Sequence, residues 1–408
     1  MPENFTPVSV QQIEELLKWT LSENKTLTVK GRGGKTGFGH LMETDCTISL
    51  EKLSGILNYD PAELVMQALP GTPLDEIEAA LSANNQHLAF EPMRLGQLYN
   101  THAESGSIGG TFMANLSGPR RFKSGAARDH ILGIKAVSGR GQAYQSGGMV
   151  IKNVTGYDMS KLLTGSWGTL SIITEVIFKV LPAPQTSQSL CVLNQQPEAA
   201  LALMTKLAQS PHDISGLAYL PGDLSKHFKH YDGVDDDTSL TMIRLEGSVL
   251  SVAERLKSVM RLIPHKWRTE TMQQEASQQL WTSIRDVSVF TIFGDTPVIM
   301  KLSIPPAAAT GITDFIKDSA GVHWYMDAAG GWLWISMPED LATTLIPAIR
   351  KKVAMHGGSV VLYSAIEKIK KTVGIFSPQP AALVALNKRI KESFDPENIL
   401  NPGRLGLV

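Results

Sequence analysis

Glu104-Ser-Gly-Ser-Ile-Gly-Gly-Thr-Phe-Met-Ala-Asn-Leu-Ser-Gly118 opens the stretch that decides how this chain reads. It continues through Arg128-Asp-His-Ile-Leu-Gly133 and Lys152-Asn-Val-Thr-Gly-Tyr-Asp158, and closes on Gly165-Ser-Trp-Gly-Thr-Leu-Ser-Ile-Ile-Thr-Glu175. Short apolar runs are punctuated by glycine, serine, threonine and asparagine. Glycine tolerates positive φ and lets a ligand lie against the backbone, at an entropic cost to folding. Glycines beside hydroxylated residues turn main-chain N–H groups and hydroxyls towards phosphates. A turn-rich β-domain whose glycines serve tight turns has the same composition. The order of the segments separates the two readings.

Upstream, Ser9 is a plausible N-cap for a helix over residues 9–24, with Ile13, Leu16, Leu17 and Thr20 at helical spacing. Residues 25–30 alternate as a half-buried strand and run into Gly31-Arg-Gly-Gly-Lys-Thr-Gly37. A strand feeding such a loop fits a pyrophosphate cradle, with Arg32 or Lys35 available for charge. It is not a P-loop, because the Gly-Lys-Thr lacks the spaced upstream glycine, and no βαβ unit with a later acidic residue supports a Rossmann site. A glycine-rich hairpin is the alternative. Residues 46–50 and 64–69 read as strands, and Pro70-Gly-Thr-Pro73 as a structural turn into a helix over 74–84. Residues 135–138, 143–145 and 172–180 read as strands of a second small sheet, with 147–152 leading to a helix over 158–163.

Taken in order, Gly31–Gly37, Ser107-Ile-Gly-Gly110, Lys152–Asp158 and Gly168-Thr-Leu-Ser-Ile-Ile-Thr-Glu175 resemble the FAD-linked oxidases of the vanillyl-alcohol oxidase (PCMH-type) superfamily. Within it the chain is most similar to the smaller FAD-binding subunits of bacterial glycolate oxidase (glycolate dehydrogenase). The ending Phe394-Asp-Pro-Glu-Asn-Ile-Leu-Asn-Pro-Gly-Arg404 is similar too. The resemblance is close from Lys30 to Pro182, thins through the middle and returns at the C-terminus.

The resemblance implies an α+β fold: a two-subdomain PCMH-type FAD-binding domain over residues 1–183, an α+β cap over 184–375, and a segment 376–408 returning to the flavin domain. It implies cofactor contacts at Gly31, Arg32, Gly33, Gly34, Lys35, Thr36 and Gly37, and then at Ser107, Ile108, Gly109 and Gly110 along diphosphate and ring. Ala114, Asn115 and Ser117 follow as a second contact, with Gly168, Thr169, Ile172, Ile173 and Asn401 completing the set. Ser166-Trp-Gly-Thr-Leu-Ser171 departs from the family's Ser-Glu-Gly-Thr-Leu-Gly at Trp167 and Ser171. Members that bond flavin covalently often carry histidine where this chain has Lys35, so the resemblance implies noncovalent FAD.

Leu181-Pro-Ala-Pro184 reads as a domain boundary. Beyond it, helices over 198–209, 252–262, 311–317 and 341–355 alternate with strands over 239–246, 297–303, 332–336 and 358–363, an antiparallel sheet with helices on one face. Asp232-Gly-Val-Asp-Asp-Asp-Thr238 lacks EF-hand spacing and reads as a solvated loop.

Oxidising a 2-hydroxy acid with a flavin takes a base for the proton and a cation for the carboxylate. Catalytic relatives carry a His-x-Gly-Asp-Gly-Asn-x-His type segment in the cap. The counterpart His323-Trp-Tyr-Met-Asp-Ala-Ala-Gly-Gly-Trp332 lacks the second histidine, so His323 reads as an ordinary surface or core residue and no catalytic residue is assigned. Arg285 and Lys301 are candidate carboxylate cations that read more simply as surface residues.

Cys46 and Cys191 are in no metal-ligand spacing and hold no iron–sulfur relay, so no metal site is expected. The role that the resemblance implies is a subunit. Chemistry lies on a larger homologous FAD-binding catalytic subunit, glycolate is oxidised to glyoxylate, and electrons leave through an iron–sulfur subunit. A structural subunit without FAD and a self-sufficient flavin oxidoreductase for another hydroxy acid are the alternatives. A net charge of −1 gives no case for nucleic acid or anionic membrane. With no apolar run near 20 residues and no signal-peptide pattern, a cytoplasmic chain is expected, meeting the inner membrane only through its complex.

Overall fold

Ser9 caps the first helix, Val10–Ser22, its Oγ accepting from the Gln12 N–H. That helix contributes Ile13 and Leu17 to a core shared with Leu27, Cys46 and Ile48 of a parallel three-stranded sheet. The sheet runs Glu3–Phe5, Cys46–Ser49, Leu27–Lys30. In this computed structural model residues 3–101, 106–149, 156–226, 237–272, 274–293 and 298–406 are described. The first four residues of the Lys152–Asp158 motif and most of the 232–238 loop lie outside them.

The chain divides into two units, the first formed by Met1–Ser117, Gly125–Ala183 and Pro378–Val408. Its second subdomain is a five-stranded antiparallel sheet in the order Ile56–Asp60, Val65–Ala68, Ser171–Lys179, Ile131–Ser138, Ala143–Gly147. Met66, Phe90, Phe112, Ile134 and Phe178 pack in its core, each buried side chain contributing about 1.5–3 kcal/mol. Helix Ile108–Ala114 joins that core, where the sequence reading has cofactor contacts and assigns no helix. Two consecutive glycines are poor helix formers. Here the first is required by packing, because a Cβ on Gly109 would sit 2.6 Å from Pro70 Cβ.

The tail closes the parallel subdomain. Leu400 bridges Leu27 in parallel, the Leu27 N–H donates to Ile399 O at 2.8 Å, and the Asn401 N–H donates to Leu27 O at 2.9 Å. Lys391 Nζ, on helix Ala381–Phe394, donates to Thr169 O at 2.7 Å and Leu400 O at 3.0 Å and pairs with Asp395 at 2.5 Å.

The second unit holds Gly118–Ser124 and Pro184–Ser377. It is an eight-stranded antiparallel sheet ordered Thr269–Met272, Thr186–Leu193, Leu240–Gly247, Ile214–Leu220, His323–Asp327, Trp332–Met337, Val298–Ser303, Ser359–Ser364. Helices Pro197–Ala208, Val249–Leu262, Ala309–Ile316 and Glu339–Ala354 cover one face, packing on Leu217, Ile243, Met300, Leu333 and Ile335. Strand residues alternate between faces, so Tyr325, Trp334, Lys301 and Tyr363 project from the other. The sequence reading lacks four of these strands. Ile214–Leu220 is buried at all seven positions and so shows no alternation. Among the described residues no helix is long and apolar enough to cross a membrane.

Candidate functional site

A cleft of about 660 Å³ opens in the first unit beside the strand Leu27–Lys30 and its following loop. Gly31, Arg32, Gly33, Gly34, Lys35 and Thr36 line it, with Ser107, Gly109, Gly110, Gly168 and Ile173. Gly33 takes φ +85°, a turn that glycine accepts without strain. The main-chain N–H groups of residues 31–34 have no hydrogen-bond partner among the described residues, so the loop presents a row of unengaged donors. Lys35 is buried, with Nζ 3.5 Å from Thr111 Oγ1.

The helix at Ile108 contributes differently. The N–H of Ile108 donates to Thr72 O and that of Gly109 to Pro70 O, both at 3.0 Å, and that of Gly110 to Ser107 Oγ at 3.3 Å. What this turn offers a ligand is space: an added Cβ at Gly110 meets only Ser107 Oγ, at 3.4 Å.

Residues that the sequence reading passed over complete the cleft. Leu50, Pro70 and Met113 give an apolar wall, and Trp167 and Arg404 line it as well. Trp167, at φ +56°, stacks on Phe38 with ring centroids 4.0 Å apart and planes 9° from parallel. The Arg404 guanidinium lies over the Trp167 ring at 5.3 Å and donates through Nη2 to Lys35 O at 3.1 Å. Burial pushes Arg404 down to about 10, which leaves it charged at neutral pH. Its Nε is buried without a partner. The signal in the sequence was the basic residue of Asn-Pro-Gly-Arg404, in the segment expected to return to the flavin domain and not assigned a cofactor contact.

Other expected contacts serve the scaffold. Asn401 is saturated: Oδ1 accepts from the Val29 N–H at 2.7 Å, and Nδ2 donates to Trp167 O at 2.8 Å and Val29 O at 3.3 Å. It clamps two walls of the cleft and faces a neighbouring cavity that Thr169 also lines. Ile108 and Ile172 are fully buried in the two subdomain cores, and Ala114 is buried beside them. Asn115 ends its helix in the left-handed region at φ +51° and accepts from the Arg128 N–H at 3.0 Å. Ser117 Oγ accepts from the Ala127 N–H at 2.9 Å. At Gly37 a Cβ would meet the Tyr99 ring at 2.3 Å, a packing constraint.

In the second unit, His323 Nδ1 lies 2.5 Å from Asp223 Oδ2 and the imidazole stacks on Phe293 at 3.6 Å. Arg285 is engaged by Asp286 through Nε at 2.8 Å and Nη2 at 2.6 Å. Lys301, read as a surface lysine, is half-buried among three aromatic rings. No group of three or more histidine, cysteine, aspartate or glutamate side chains is set to hold a metal ion among the described residues.

Residues 4–147 match the FAD binding domain family, and residues 377–405 match the C-terminal domain of FAD linked oxidases. The glycolate oxidase subunit GlcE of Escherichia coli strain K12 is 32% identical over 97% of both chains. The glycolate oxidase subunit GlcD of Bacillus subtilis is 25% identical over 98% of this chain and 88% of its own. A D-2-hydroxyglutarate dehydrogenase of Stutzerimonas stutzeri is 21% identical over 98% and 89%. Among solved structures, substrate-bound p-cresol methylhydroxylase superposes with a TM-score of 0.75 at 16% identity, covering 99% of this chain and 88% of that one. The fold is therefore the α+β, PCMH-type flavoprotein fold. The cleft fits FAD. Unengaged N–H groups on 31–34 and the cations of Lys35 and Arg404 suit a diphosphate, and Leu50, Pro70, Met113 and Ile173 suit an apolar ring.

Proposed function

The chain belongs to the FAD-linked oxidase family of the glycolate oxidase subunit GlcE, and we propose that it is the FAD-binding subunit of a multi-subunit glycolate dehydrogenase. The observation that carries this reading is a cofactor cleft with unengaged backbone donors in a chain matched to GlcE along 97% of its length. When bound, FAD supplies the two-electron acceptor for oxidation of a 2-hydroxy acid to the 2-oxo acid.

In this reading the first unit is the flavin domain and the second the cap. The loop 31–36 and Ser107 hold the diphosphate, with Lys35 and Arg404 balancing its charge. Gly110 leaves room for it, while Gly168 and Ile173 line the cleft further along. Lys35 stands where a covalent tether would need a nucleophilic histidine, so FAD is held noncovalently. Trp167, stacked between Phe38 and Arg404, keeps water from one side of the cleft.

Among the described residues His323 is paired with Asp223 and no second histidine joins them. Its ring faces Phe293 and its Nδ1 faces Asp223, an arrangement that anchors the strand end. The substrate proton is therefore taken on a larger homologous flavoprotein partner, and electrons leave through an iron–sulfur partner.

The test is an absorption spectrum of the purified chain before and after acid precipitation. A flavin spectrum that moves wholly to the supernatant supports noncovalent FAD. A colourless folded chain would overturn the reading. Co-expression with a larger flavoprotein and a cysteine-rich partner is expected to yield dye-linked glycolate oxidation that the isolated chain lacks.

A further inference from the structure

The first unit holds a second cavity, of about 890 Å³, beside the loop 165–169. Trp167 and Gly168 of that loop line the cofactor cleft, whereas Gly165, Ser166 and Thr169 line this cavity. Its volume lies in the range of small-molecule sites. The flavin reading gives it no occupant.

The lining is mixed in polarity and one-sided in charge. Leu162, Leu170, Ile390 and Leu405 supply hydrocarbon. Arg128, Lys391 and Arg404 supply the charge, and no aspartate or glutamate is among the described residues that line the cavity. The three cations are not equivalent. Lys391 is fully engaged, its Nζ donating to Thr169 O, Leu400 O and the carboxylate of Asp395 that balances it. Arg404 stands in the wall shared with the cofactor cleft and donates to Lys35 O. Arg128 Nη2 donates to Thr164 O at 2.6 Å, which fixes the guanidinium at the cavity wall. Its Nε and Nη1 have no partner, and it meets no carboxylate, among the described residues. Only one N–H of Nη2 is used, so the other still forms a parallel pair of donors with Nε or Nη1. Asn398, at φ +51° on the tail, lines the same cavity, and its side-chain amide is unengaged among the described residues.

We propose that this cavity binds a small monocarboxylate carrying an apolar chain of several carbons. The open edge of the Arg128 fork matches a planar carboxylate through two parallel hydrogen bonds, and the Asn398 amide adds a neutral donor. The four aliphatic side chains give the carbon chain an apolar bed. One uncompensated fork calls for one negative charge. A dianion would leave its second charge against hydrocarbon. The site lies wholly within the first unit and needs neither flavin nor turnover.

The test is isothermal titration calorimetry of the full chain with hexanoate, with thermal unfolding recorded on the same samples. Saturable binding and a raised unfolding midpoint are expected. Hexan-1-ol, which lacks the charge, and acetate, which lacks the chain, should each bind about tenfold or more weakly. Arg128→Gln is expected to weaken hexanoate binding by about tenfold or more, and Arg128→Lys by less. Leu162 is 37% exposed, so Leu162→Glu sets a like charge in the lining without disturbing the core, and a similar loss is expected. No saturable binding by either measure, or an equal response to hexan-1-ol or acetate, would overturn the site. So would unchanged affinity in Arg128→Gln or in Leu162→Glu. Displacement by sulfate at equal concentration would reduce the site to an unselective anion patch and overturn it as well.

Discussion

The two units handle charge in opposite ways. In the first, the cleft is made largely of main chain: free N–H groups on 31–34, small residues at 107–110, and cations at its edges. In the second, the sheet face away from the four helices is made of large side chains, with Lys301, Trp332, Trp334 and Tyr363 meeting from three strands. A backbone site is written as local glycine-rich sequence. A side-chain site is assembled from positions far apart, each ordinary by itself. This contrast explains why the cleft of the first unit is legible in the sequence and the ring cluster of the second is not.

The strongest way to break the contrast is at the glycine pair. Gly110→Val is expected to abolish flavin retention while leaving thermal unfolding near the parent, because protein atoms leave the Cβ room. Gly109→Val is expected to lose flavin and about 3 kcal/mol of stability together, since Pro70 is in the way. Stoichiometric FAD in Gly110→Val would move the ligand elsewhere.

Glu246→Gln comes next and probes the cap alone. Burial raises the Glu246 carboxyl, but Arg244 and Arg120 outweigh it and hold it well below the usual carboxylate range. The variant strands two cations, at an expected cost of about 3 kcal/mol in urea unfolding at pH 7. A depressed carboxylate contributes stability above its unfolded value near 4.3 and loses it as pH falls towards its folded one. The gap between parent and variant should therefore narrow from pH 5 downwards. A gap that is constant with pH would assign the loss to packing.

Asn401→Ala leaves the Val29 N–H and the carbonyls of Val29 and Trp167 with weaker partners, at a cost of about 2 kcal/mol. Flavin affinity should fall with it, because both cleft walls lose their clamp. Unchanged thermal unfolding and flavin affinity would show the clamp to be redundant. The smallest effect is expected for His323→Ala, which should change dye-linked glycolate oxidation by the assembled complex less than about twofold, within the range of surface changes. A large fall in turnover with flavin and assembly intact would make His323 part of the chemistry.

Much of the first unit was legible because its signals are local. The strand before Gly31, the helix capped by Ser9 and the largely apolar run at 172–180 need no knowledge of the rest of the chain. Helix Ile108–Ala114 was hidden by its own glycines, whose reason, Pro70, lies on another segment. Asn401 and Arg404 sat in a recognisable ending, yet their partners Val29, Trp167 and Lys35 cannot be inferred from it. In the second unit, Ile214–Leu220 lacked periodicity because both its faces are covered. His323–Asp327 was read for its chemistry and proved to be a strand. Lys301 looked like a surface lysine because nothing in Met300-Lys-Leu302 tells of three rings arriving from two other strands.

The Asn401 clamp also has a history in time. Asn401 follows Val29 by 372 positions, with the whole second unit encoded between them. On a ribosome the glycine loop is made early, then waits, at a few to some twenty residues per second, while the intervening chain is synthesised. Until the tail arrives, the loop's strand lacks its Leu400 neighbour and Trp167 lacks its tether. If the cleft takes FAD as proposed, its capture waits until the segment carrying Asn401 has been made. A chain stopped before Asn401 would lack this clamp, so on that reading flavin retention would tell chains that contain it from chains that do not.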